Sequence, residues 1–283
     1  MAIYVKDQTA WREVKEPTVR NSTAWVKLKK AHVKDQTVWR EVWSSMEGTV
    51  DPGADASYVR TLPSSEFING VDLAQAIGLT GGVVKDSDSP WMHFIMDIST
   101  ETPFNLFVPM KSFRADIGWA EIYQAGAIYG TDDFGTHPEG GNRTQNARVT
   151  VNGIEYRVTL LKGGNKDSVI IPSNENQRFD VPSESDPSEW NRIMYRVSNT
   201  GNPNPASHPY GVWEQYTKQE LNVDFTDSDG CASWCQEFAS VNGQPRRLLR
   251  GGDTVTYFDG DHPSFVHNFM GWRPALRSPY LGP

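Results

Sequence analysis

Residues 147–161 read ARVTVNGIEYRVTLL. Asn152-Gly153 stands between two runs with an apolar residue at every second position: Val149 and Val151 before it, Ile154, Tyr156, Val158 and Leu160 after it. An Asn-Gly pair tolerates positive φ at both central positions of a two-residue turn. The stretch therefore predicts a β-hairpin with one apolar face, and antiparallel pairing becomes the starting frame for the chain around it.

Working outward, PWMHFIMDI (90–98) and PFNLFVPMKSF (103–113) are apolar runs joined by a polar turn. They predict a second hairpin with one wholly buried face. Helical spacing is found in three places. NGVDLAQAIGLTGG (69–82) predicts a short helix around Asp72–Ile77, stopped by Gly78. DIGWAEIYQAGAIYG (116–130) puts Trp119, Ile122 and Tyr123 on one face, with Gly126 as the stop. In SDPSEWNRIMYRV (185–197), Asp186 is the expected cap, Pro187 fits the first turn and Glu189 completes a box-like pair. Trp190, Ile193, Met194 and Val197 then make its apolar stripe. Residues 163–182 and 199–210 are rich in Asn, Ser and Pro and read as loops.

The first 46 residues follow a different rule. VKDQTAWREV (5–14) returns as VKDQTVWREV (33–42), and VRNSTAWVKL (19–28) aligns between them without insertion. Trp11, Trp25 and Trp39 thus recur every 14 residues, as do Val5, Val19 and Val33. Each unit reads as strand, turn, strand, with Asp7-Gln8, Asn21-Ser22 and Asp35-Gln36 at the turns. A unit this short buries little alone. The repeats are therefore expected to be a docking arm, with the three tryptophans as its contacts. A polar stretch with Pro and Gly follows and reads as a linker over 47–66, before a globular domain over 67–283.

Charge supports that division. Residues 1–46 carry nine Lys/Arg against five Asp/Glu, while the whole chain is at −8, which leaves −12 for the remainder. A basic arm on an acidic body suits docking to an acidic protein surface. Nucleic acid is not expected, because Lys and Glu alternate and no basic run exceeds Lys29-Lys30. No apolar run reaches the roughly 18 residues of a membrane span, and no signal-peptide core is evident, so membrane insertion and export by that route are not expected.

NGVDLAQAIGLTGG, SEWNRIMYRVS, CASWCQE and RRLLRGGDTVTYFDGDHPSFVHNFMGWRPAL occur in that order. Together they resemble bacteriophage virion proteins whose C-terminal domain is similar to the C-type-lectin or formylglycine-generating-enzyme fold. The resemblance covers residues 67–276. It implies an α+β fold: a short β-repeat arm, then a lectin-like domain of irregular strands, hairpins and a few short helices. It also implies a tail fibre or tail-tip protein in the virion, assembled in the host cytoplasm. In that reading the arm contacts other virion proteins, the domain binds a host surface glycan or protein, and the molecule is a homotrimer. A capsid decoration or head-fibre protein without a receptor role is the alternative. Arg250-Gly251-Gly252 and Gly271-Trp272-Arg273-Pro274 stand where such domains have the strands flanking a surface loop.

Between those strands, Tyr257, Phe258, Asp259, Asp261, His262, Phe265 and His267 form an aromatic and polar run without helix or strand period. They are the expected recognition residues. Arg250 and Arg273 can tie loops through carbonyls, and the glycine pair can let its strand approach a neighbouring Trp.

Catalysis is not expected. G-x-S-x-G, HExxH and P-loop motifs are absent. Cys231 and Cys235 do not match the cysteine positions of formylglycine-generating relatives, and they read as buried free thiols. Asp224, Asp227 and Asp229 hint at calcium but miss the EF-hand spacing. No cofactor or metal is expected.

Overall fold

The computed structural model describes residues 3–6, 11–14, 18–20, 25–27, 30–35, 38–44, 56–97, 102–138, 142–179, 188–200, 212–225 and 229–279. By contact the chain divides into two units, one within residues 1–49 and one over 50–279.

The first unit holds β1 (Ile3–Lys6), β2 (Trp11–Val14), β3 (Thr18–Arg20), β4 (Trp25–Lys27), β5 (Lys30–Asp35) and β6 (Val38–Ser44). These make three separate two-stranded antiparallel sheets, one hairpin for each 14-residue repeat. The paired strands of each repeat are present at the backbone level, while the turns expected at Asp7-Gln8 and Asn21-Ser22, and Gln36 of the third, lie outside the described residues. The register repeats as well. Lys6 pairs with Trp11, Arg20 with Trp25 and Lys34 with Trp39, so each hairpin sets a basic residue opposite its tryptophan.

The second unit is built mainly of β-sheet. Its six-stranded sheet is antiparallel throughout and runs β12 (Arg148–Val151), β13 (Ile154–Thr159), β19 (Ala275–Pro279), β10 (Phe104–Pro109), β9 (Trp91–Met96), β7 (Ala56–Leu62). The Asn152-Gly153 hairpin closes as expected, with φ of 51° and 80° at the turn. Ile154 alone breaks the alternation and is exposed. The β9–β10 hairpin also forms, but with apolar residues buried on both faces. Trp91 and Phe107 enter one core cluster; Met92, Phe94, Met96, Leu106 and Val108 enter the other. Double-sided burial explains the missing alternation. Each of these large side chains contributes roughly 1.5–3 kcal/mol.

β7 corrects the domain boundary. Residues 56–66 read as linker, yet β7 pairs along β9 with Ala56, Tyr58 and Leu62 buried. Polar neighbours and a flanking proline mask an edge strand whose apolar residues are only intermittent.

The second sheet has seven strands. Its main path is β17 (Phe258–Asp261), β16 (Gln244–Gly251), β15 (Ala232–Val241), β18 (Met270–Trp272), β11 (Arg114–Ala115), β8 (Val83–Val84). β14 (Val169–Ile171) pairs in parallel with the far half of β15. It lies inside the stretch 163–182 that reads as loop. One core cluster joins both sheets to α1 (Gly70–Ala76) and α2 (Trp119–Gln124); the other takes in α3 (Glu189–Val197).

The helix limits follow local chemistry. Asn69 caps α1 by accepting from Asp72 N at 2.9 Å, and Gly78 takes φ of 72° just beyond its end. Gly126 stops α2 in the same way, at 77°. In α3 the cap is Ser188, whose Oγ accepts from Asn191 N at 3.3 Å. The expected cap Asp186 and Pro187 lie outside the described residues. Glu189 does not box the helix start but reaches Arg277 at 2.6 Å and Lys162 N at 2.9 Å.

Indole N–H groups cross-tie the body. Trp91 donates to Ile68 O at 2.7 Å, Trp119 to Cys235 O at 2.9 Å, Trp190 to Val255 O at 2.6 Å and Trp234 to Ile117 O at 2.7 Å. A buried indole needs such a partner, and each of these bonds spans a large sequence separation.

Candidate recognition surface

The segment from His262 to Phe269 connects β17 to β18, and its shape is fixed by main-chain bonds. Ala120 N, at the start of α2, donates to Pro263 O at 2.8 Å. Gly230 N donates to Asn268 O at 2.7 Å and Ala232 N to Phe269 O at 2.8 Å. Within the segment, Phe265 N reaches His262 O and Met270 N reaches His267 O, both at 2.9 Å. Gly118 lies so close that a Cβ there would sit 3.1 Å from Pro263 O.

Arg250, Gly251, Gly252, Trp272 and Arg273, on the strands either side of the segment, are all buried. Arg273 donates from Nε to Ser233 Oγ at 3.0 Å, from Nη1 to Pro109 O at 3.3 Å and to Met110 O, and from Nη2 to Leu221 O at 2.5 Å and Asn222 O at 3.2 Å. Burial pulls its pKa down to about 9. Arg250 donates to Gly163 O and Asn191 Oδ1, each at 2.9 Å. Both arginines tie loops, as expected. The glycine pair differs from expectation, since its close approaches are not to a tryptophan. A Cβ on Gly251, at φ of 82°, would meet Cys231 O at 2.7 Å, and one on Gly252 would meet the Phe225 ring at 2.8 Å.

The seven expected recognition residues separate into two groups. Tyr257 is buried and does not point into solvent. It bridges the rings of Phe179 at 5.5 Å and Phe225 at 6.3 Å. Phe258, Asp259 and Asp261 are half-buried and form β17, a strand the sequence period did not reveal. Asp259 pairs with Arg178 at 2.8 Å; burial still raises its pKa. Asp261 accepts from His262 N at 2.7 Å. His262, Phe265 and His267 are exposed.

Phe265 and His267 belong to a longer row of rings. Phe265 and His267 lie 6.3 Å apart with planes 20° from parallel, and His267 is 4.3 Å from Phe269. Phe269 meets Phe225 edge-on at 5.4 Å, and Phe225 leads on to Tyr257. Phe225 and Phe265 keep 47% and 43% of their surface in solvent, and Val266 keeps 46%. Phe225, Val266 and Phe269 are contributors that sequence reading missed. Phe225 lies in a segment whose aspartates drew the attention instead.

A polar cluster flanks the row. Asp229 accepts from Asn268 Nδ2 at 2.9 Å and from Lys85 Nζ at 3.3 Å. First the amide and then the ammonium hold its carboxyl below the usual range. Lys85 also lines an open cleft of about 640 Å³ with Asp86, Asp88, Lys111 and Glu220. Asp224 turns elsewhere, to Lys218 at 2.6 Å, and is buried. Asp227 lies outside the described residues. Among the described residues no three metal-ligating side chains converge. Cys231 and Cys235 are free and buried, and burial pushes the Cys231 thiol up to about 12 and holds that of Cys235 well above its ordinary value.

Comparison with family models, with curated proteins and with solved structures returns no match for this chain.

Proposed function

We propose that the protein is an adhesive structural component of a bacteriophage particle, a tail fibre or tail-tip protein. Its hairpin arm contacts other virion proteins through Trp11, Trp25 and Trp39, and its lectin-like body recognises a host surface. The observation that carries this reading is the pair of exposed rings, Phe265 and His267, on a segment whose backbone is bonded into α2 and β15. Such a surface offers large contact area at little ordering cost, because the scaffold has already fixed it. The repeated arm supports the anchoring half. Three hairpins that bury little alone gain stability from neighbouring strands, which fits a homotrimer in a symmetric particle. Thiols held protonated in the core suit a structural protein rather than an enzyme.

The test uses particles carrying the full-length chain. Alanine at Trp11, Trp25 and Trp39 together is expected to remove the protein from purified particles while leaving the melting temperature of the body unchanged. Alanine at Phe265 and Phe225 is expected to leave incorporation intact and slow adsorption. Normal adsorption by particles with the altered ring row would move the protein to the decoration class, without a receptor role.

A further inference from the structure

The ring row also carries information about the chemistry of what it binds. Its members follow one another in single file from Phe265 through His267 and Phe269 to Phe225, at centroid spacings of 4.3–6.3 Å. A protein partner of standard size covers about 800 Å² on each side and seats its aromatic anchors in pockets. A narrow row with Phe265, His267 and Phe225 exposed and Phe269 half-buried between them suits a thinner ligand with repeating flat faces. A sugar ring has such a face, an apolar C–H surface about the size of one aromatic ring, with hydroxyls around the rim.

The flank of the row provides for those hydroxyls. The Asp229 carboxylate, the Asn268 amide and the Lys85 ammonium are held in one hydrogen-bonded cluster. Their arrangement is set before any ligand arrives, yet the Lys85 and Asp229 side chains remain 39% and 42% exposed. Asn268 is the chain neighbour of Phe269, which brings the cluster's donors and acceptors to that end of the row.

Charge narrows the class further. Lys85 pairs with Asp229 and Arg178 with Asp259, so the two cations on the flank of the row are each matched by a carboxylate. A polyanion meets paired charges there rather than a basic track. Among the described residues no three His, Cys, Asp or Glu side chains converge to hold a sugar-bridging cation.

We infer that the row from Phe265 to Phe225, with Asp229 and Asn268 on its flank, binds a neutral polysaccharide chain by stacking and without a metal ion. This rests on the adhesive reading and names the ligand class of the same surface.

The experiment applies full-length protein to a printed array of bacterial surface polysaccharides, neutral and anionic, and to host cells treated with periodate or with proteinase K. Binding to neutral glycans is expected, unchanged by EDTA and weakened at least ten-fold by Phe265→Ala. Phe265→Trp is expected to keep it. Phe225→Ala should weaken it similarly, with a thermal melt to confirm the fold, since Gly252 packs on that ring. Periodate should abolish cell binding and proteinase K should not. Binding only to anionic spots, loss on EDTA addition, or cell binding that survives periodate but not proteinase K overturns the glycan assignment and leaves the adhesive reading standing. A protein that binds no cells at all overturns both.

Discussion

Replacing Glu237 by Gln is expected to stabilise the protein at pH 8 and to have little effect near pH 4. Glu237 lies on β15 with 6% of its surface exposed, and its Oε2 accepts from Gly163 N at 2.9 Å. Burial, reinforced by the carboxylates of Glu189 on α3 and Asp167 before β14, holds its pKa up at about 8. Glu189 is itself committed to Arg277, so it offers Glu237 no relief. In the unfolded chain the same carboxyl ionises near its ordinary value of about 4.3. Between that value and about 8 the folded state therefore keeps a proton that the unfolded state has released, and stability falls as pH rises. Above about 8 both states are ionised and the loss levels off. At 1.36 kcal/mol per pH unit the full window gives on the order of 5 kcal/mol as an upper bound, and relaxation around the site brings the expected loss to about 2–5 kcal/mol. Glutamine keeps an oxygen for Gly163 N and carries no titratable proton. Urea melts of wild type and Glu237→Gln from pH 4 to 9 should coincide at the acid end and diverge progressively up to pH 8. Parallel curves, with the variant offset by a constant amount, would refute the buried-acid account.

Three further outcomes are expected. His93 stacks on Phe107 at 4.1 Å and bonds Asn105 at 2.9 Å, and burial lowers its pKa to about 4. The unfolded imidazole gains its proton near pH 6.5, so stability should fall by up to about 3 kcal/mol between pH 6.5 and 4, and the same pH series on His93→Gln should lack that limb. Arg273→Lys should cost about 3–5 kcal/mol in urea melts, because an ammonium cannot span the carbonyls of Pro109, Met110, Leu221 and Asn222; a loss below 1 kcal/mol would contradict its role as a tie. Both thiols should resist DTNB at pH 8 in the folded protein and react at once in denaturant, and labelling of the native protein at the rate of a free thiol would contradict their burial.

Local signals were read well wherever one short segment contains the whole reason for its conformation. Asn152-Gly153 fixes its own hairpin, and Gly78 and Gly126 end their helices without help from elsewhere. The double-faced burial of β9 and β10 was read as one-faced, because two core clusters from distant parts of the chain close on it. β7 and β14 escaped notice for the same reason, since each exists only through pairing with a strand remote in sequence. The cap of α3 was placed two residues early, because Glu189 answers to Arg277 rather than to its own helix. At the candidate surface, aromatic and polar composition singles out His262, Phe265 and His267, which are exposed. It does not reveal the burial of Tyr257 or the contribution of Phe225, since the contact between those rings spans more than thirty residues of chain.

The segment from His262 to Phe269 takes its path from carbonyls and amides, through Ala120, Gly230 and Ala232, and from the side chains of His262, His267 and Asn268, which bond Ser264 N, Phe269 N and Asp229. On the adhesive reading proposed above, substitutions at positions 264, 265 and 266 change which molecule is bound without asking the chain to refold. Binding preference and folding stability are then separable, and a lineage can pass through many ligand preferences by successive single replacements.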